Sequence, residues 1–86
     1  MKALMDLCNA YKNGEFNIKE FQQRIETIYL PDECKNTLEK EQYNACNRLE
    51  EIMYSYSESR KKYADEVADD LIQAALREQD KITNVS

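Results

Sequence analysis

With 86 residues, the chain makes one domain, above the size that normally needs a disulfide or metal staple but with little core to spare. A content of 42% hydrophobic and 34% charged residues suits a folded amphipathic bundle better than disorder, and a single Gly and a single Pro leave few turns for a hairpin-rich sheet. The formal net charge of −5 with no histidine disfavours binding to phosphate backbones, and no apolar run approaches the roughly 18 residues that cross a bilayer.

Leu4, Leu7, Cys8 and Tyr11 recur at helical spacing and predict a first helix over about residues 2–13. Gly14 follows, suited to the left-handed position that closes a helix. The next start is signalled three ways. Asn17 can cap, Glu20 stands at the third helical position, and Phe16 can pack on Phe21 as a hydrophobic staple. Phe21, Ile25 and Ile28 form the apolar stripe of this second helix, which Pro31 is expected to end, with Leu30 extended before it.

Asp32 and Glu33 are acids where a third helix would begin, favourable against its partial positive charge. Leu38, Ala45, Leu49, Ile52 and Tyr56 then mark one buried stripe, broadened by Cys46 and Met53. Ser55-Tyr56-Ser57-Glu58 matches a capping box and predicts a break between Ser55 and Ser59. Beyond it, Tyr63, Val67, Leu71 and Ala74 form one row, with Ala64, Ala68, Ile72 and Ala75 beside it. A fourth helix to about residue 79 is expected, giving one domain over residues 1–80 and a frayed tail over 81–86. The predicted fold is all-α, an antiparallel four-helix bundle, because four apolar stripes with short connections can be buried only against each other. A three-helix bundle with a long kinked third helix is the alternative.

The chemistry of catalysis is mostly missing. Without histidine there is no Ser-His or Cys-His pair, and one Gly cannot make a phosphate loop. Cys8, Cys34 and Cys46 are an odd number without close spacing, expected as reduced thiols in a cytoplasmic protein rather than as a zinc site. The start of the chain lacks the long apolar run of a signal peptide. Neither enzyme activity, cofactor nor metal is expected.

Two residue types remain as candidates for partner binding. Asp65, Glu66, Asp69 and Asp70 line one side of the fourth helix, partly offset by Lys61 and Lys62, with Glu50 and Glu51 as candidate neighbours from the third. A solvated face is the plain reading of these acids, and a protein-binding patch is the sharper one. Tyrosine favours interfaces because it joins apolar area to a polar tip. Tyr11, Tyr56 and Tyr63 lie on core stripes, whereas Tyr29, Tyr43 and Tyr54 fall off the stripes or at their edges.

The segment from Leu7 to Ile25 reads L-C-N-A-Y-K-N-G-E-F-N-I-K-E-F-Q-Q-R-I. It resembles the opening of colicin D immunity-like proteins, in which an amphipathic helix and a short turn precede a helix carrying E-F-x-x-R-[I/F]. Those positions here are Glu20, Phe21, Arg24 and Ile25. Leu49-Glu50-Glu51-Ile52-Met53-Tyr54-Ser55-Tyr56 is similar to that family's leucine-acid helix, and the segment from Tyr63 to Leu76 has acids followed by Leu71, as its last helix does. The chain departs from the pattern at Ser57 to Lys62, which is short and basic where many members carry a Pro-Asp-rich loop. This leaves open which acids would face a partner. The resemblance implies an immunity protein that binds a cognate nuclease toxin and blocks its basic active site. The acids Asp65, Glu66, Asp69 and Asp70, with Glu50 and Glu51, would then dock on that cleft. The rival reading is a helical module that self-associates or docks a partner helix through its apolar stripe.

Overall fold

The computed structural model describes residues 2–30, 32, 35–55 and 58–84, with side chains described through Lys81. These residues form four helices: α1 (Lys2–Lys12), α2 (Ile18–Thr27), α3 (Lys35–Ser55) and α4 (Arg60–Asn84). Each packs on two neighbours in a closed ring, α1 on α2 and α4, and α3 on α2 and α4. The result is the four-helix bundle that four stripes require.

Local chemistry accounts for the α1–α2 hairpin. At the end of α1 the Gly14 amide donates to the Tyr11 carbonyl (2.9 Å) and the Glu15 amide to the Ala10 carbonyl (3.1 Å). Those two bonds make a Schellman closure, which puts Gly14 at φ +83°. Asn17 then starts α2, its Oδ1 accepting from the Glu20 amide at 2.8 Å. The Glu20 carboxylate turns toward Arg24 (3.5 Å). The staple forms as expected, with the Phe16 and Phe21 rings 6.2 Å apart. Phe21 also stacks on Tyr11 at 4.3 Å and 6° between planes, so one aromatic cluster locks α2 to α1.

The second helix ends earlier than expected. α2 stops at Thr27, and Ile28 is its extended C-cap with ψ 143°. Ile28 therefore packs on the core from outside the helix rather than from its stripe. The reason is tertiary: leaving the helix at Ile28 lets Leu30 reach the core, where it is buried. Thr27 and Ile28 are β-branched and give up helix at little cost. Pro31, Glu33 and Cys34 lie outside the described residues.

α3 buries Leu38, Ala45, Leu49 and Ile52, with Cys46 and Met53 half-buried beside them. Tyr56 and Ser57 lie outside the described residues. The expected break is present, but the capping box is not its device. Ser55 is the last residue of α3, while the Ser59 carbonyl accepts the first α4 bond from the Tyr63 amide at 3.1 Å. Ser59, not Ser55, stands at the N-cap.

α4 buries Ala64, Val67, Ala68, Leu71, Ala74, Ala75 and Glu78. That is a heptad-like face serving two neighbours, with alanines that let α1 and α3 approach closely. Tyr63, expected in the core row, sits at the edge of this face and is 37% exposed. The helix also runs beyond the expected end near residue 79, through Asp80 and Lys81 to Asn84. Glu78 to Ile82 contains no breaker, and α3, antiparallel and almost as long, lies alongside. The α3–α4 hairpin sets the 46 Å long axis of the molecule. At 11 and 10 residues, α1 and α2 are about half the length of α3 and α4 and flank only part of it.

Candidate functional site

The acids of α4 occupy its outward arc, and the fold supplies cations to the edges of that arc. Asp65 accepts from Lys61 at 2.6 Å, Asp69 pairs with Lys12 of α1, and Asp70 accepts from Arg48 of α3 at 2.6 Å. Glu66 alone of the four makes no ion pair among the described residues. Lys61 has a further structural task. Its Nζ donates to the Tyr11 carbonyl at 3.0 Å and lies 4.2 Å from the centre of the Tyr11 ring. It therefore closes the C-terminal carbonyls of α1, where a cation is favoured. These pairs are exposed and individually weak, but together they neutralise most of the patch.

Glu50 does not join that arc. Arg48 reaches α4, and Glu50 stands two residues on, about 200° around α3, on the flank facing α2. It lines a groove of about 380 Å³ between α2 and α3, with Gln22, Glu26, Glu39, Gln42, Tyr43, Cys46 and Asn47. Glu51 lies just outside, beside Tyr54 and Ser55. Of the two candidate neighbours, Glu50 therefore belongs to the α2–α3 face, whereas Glu51, three residues on from Arg48, stays on the Arg48 side of α3.

The α2–α3 groove is stitched by side chains bonded to backbone. Gln22 Nε2 donates to the Cys46 carbonyl at 3.2 Å, and Cys46 Sγ donates back to the Gln22 carbonyl at 3.9 Å. Gln42 Nε2 donates to the Ile25 carbonyl, which also accepts from the amide of the C-cap Ile28 at 3.4 Å. Burial, and then the nearby Glu26 carboxylate, push the Cys46 thiol up to about 11, so it is a neutral wall and not a nucleophile. Cys8 is fully buried and pushed up to about 12, chiefly by desolvation and then by Asp69. Cys34 lies outside the described residues.

Above this floor, Tyr43 (69% exposed), Glu50 and Tyr54 (83% exposed) recur at steps of seven and four along the outer edge of α3. Tyr29 is also exposed, on the connection after α2. The residues lining the groove include three carboxylates and no cation. Glu39 lies 3.9 Å from Lys35, and Lys19 stands where the groove continues toward Met53 and Tyr54. Glu26 and Glu50 make no ion pair among the described residues. The seven-and-four spacing of Tyr43, Glu50 and Tyr54 could be read from the chain. The contribution of Glu26, from another helix, could not.

Another cleft, of about 540 Å³, lies between α1 and α2 and is lined in part by Asp6, Glu15, Glu20 and Arg24. There Arg24 already answers the acids, pairing with Glu20 and lying 4.7 Å over the Phe16 ring. Among the described residues, no group of three His, Cys, Asp or Glu is arranged to hold a metal, and no helix is long and apolar enough to cross a membrane. Comparison with family models, curated proteins and solved structures finds no match.

Proposed function

We propose that the chain is a non-enzymatic, cytoplasmic, acidic binding protein that neutralises a basic partner. Its specific form, implied by the resemblance to colicin D immunity-like proteins, is an immunity protein for a nuclease-type toxin. The observation that carries the reading is the α2–α3 face. Unpaired carboxylates lie beside Tyr43 and Tyr54 there, on a chain whose net charge is already −5. A nuclease cleft that grips phosphates is basic, and an acidic surface of this kind can occupy it in place of nucleic acid. Tyrosines at the rim add buried area with a polar tip, as binding surfaces commonly do.

The rival, self-association through an uncovered stripe, has less support. The stripes of α1, α3 and α4 are covered by one another, and the large apolar side chains left exposed among the described residues are four tyrosines and Leu76. A contiguous apolar patch would favour a partner copy, and these positions are scattered over two helices and a connection. The test is inhibition. A nuclease toxin domain encoded beside this chain is purified and its cleavage of nucleic acid measured with and without an equimolar amount of the chain. Cleavage should stop and recover partly as salt is raised, because exposed charges are screened within about 8 Å at physiological ionic strength. Undiminished cleavage at large excess of the chain rejects the toxin reading.

A further inference from the structure

Two antiparallel helices side by side leave a straight channel that accepts the ridge of a third. In the α2–α3 channel the floor is Gln22 and Cys46, the walls carry Glu26 and Glu50, and Tyr43 and Tyr54 stand on the rim. From Tyr43 to Tyr54 is eleven residues, about 16 Å, or three turns of helix. A partner helix of three turns would match that run.

Charge selects the occupant. A second copy of this chain would bring the same carboxylates against themselves across a two-fold contact. An apolar helix would bury Glu26 and Glu50 without partners, which costs more than it returns. A basic helix meets both carboxylates with opposite charge. Between the basic side chains, arginine fits better than lysine, because its planar fork can bind a carboxylate through two bonds and stack on a tyrosine ring. We infer that the α2–α3 groove seats a basic amphipathic helix of the partner, presenting arginines one and two turns apart to Glu26 and Glu50 between Tyr43 and Tyr54. This rests on the reading of the chain as a binder of a basic protein and names the part of the partner that is held.

The probe is a labelled, alanine-based peptide of about 15 residues, near the length at which an isolated helix holds. It carries arginine at i, i+4 and i+7, and its binding is followed by fluorescence anisotropy. Three comparisons accompany it: a scrambled peptide of the same composition, a peptide with lysine for arginine, and two protein variants of equal charge change. Wild type should bind the patterned arginine peptide at least about tenfold more tightly than the scrambled one. Glu26→Lys with Glu50→Lys should abolish that preference, whereas Asp6→Lys with Asp80→Lys, at two exposed acids outside the groove, should preserve it. Glu26→Gln with Glu50→Gln, which keeps size and adds no repulsion, serves if the reversal disturbs folding as seen by circular dichroism. No binding by wild type, equal binding of the scrambled peptide, or equal losses from the two reversals would overturn the inference. Peptide binding without toxin inhibition would remove the toxin and leave the groove. Toxin inhibition insensitive to the Glu26 and Glu50 changes would do the opposite.

Discussion

Phe21→Ala removes the centre of the aromatic cluster that joins α1 to α2. Phe21 is fully buried, stacked on Tyr11 at 4.3 Å and tilted against Phe16 at 6.2 Å. Truncating a buried Phe to Ala costs about 3–5 kcal/mol, and a stacked pair carries about 0.5–1.5 kcal/mol beyond its area. Here α1 and α2 are short and their hairpin relies on this contact, so a loss of about 4 kcal/mol is expected. A domain of this size has roughly 4–13 kcal/mol in total, so the variant would lie near its unfolding threshold. With a slope of about 2 kcal/mol per molar urea, the midpoint should fall by roughly 2 M. Urea titration followed by far-ultraviolet circular dichroism measures it. Phe21→Leu, which keeps most of the volume, should cost less than about 1.5 kcal/mol. A loss below about 1 kcal/mol for Phe21→Ala would show that α2 does not dock through this ring.

Two further perturbations test the local readings. Asn17→Ala should cost about 1 kcal/mol in the same titration while Asn17→Ser stays within a few tenths, since the hydroxyl can still accept from the Glu20 amide; equal losses would remove the cap from the account. Alkaline pH should destabilise the fold. Burial raises Cys8 from 9.0 to about 12, Cys46 from 9.0 to about 11 and Tyr11 from 10.0 to about 12, so the unfolded chain loses these protons first. Their contribution is whole below about pH 9 and is lost as pH rises toward about 12. Thermal melting should fall across that window, and Cys8→Ala should flatten the fall; a melting temperature constant to pH 11 would refute the assignment.

The two ends of the α1–α2 hairpin illustrate what the chain determines alone. Gly14 as left-handed closure, Asn17 as cap and the Phe16–Phe21 staple are each made by residues within five positions, so their chemistry is legible without a partner. The same holds for the stripes of α1 and α3, where periodicity selects the buried face. The end of α2, the exposure of Tyr63 and the length of α4 were decided elsewhere, by the burial of Leu30 and by the two neighbours that α4 serves. The candidate site divides in the same way. Its acids were visible, but the Lys12–Asp69 pair spans 57 positions and the Arg48–Asp70 pair 22. Only packing shows that most of the α4 patch is answered by the fold's own cations. Glu50, by contrast, lines the groove between α2 and α3 together with Glu26. Charge can be counted along a chain, but which charges remain free for a partner depends on which helices stand side by side.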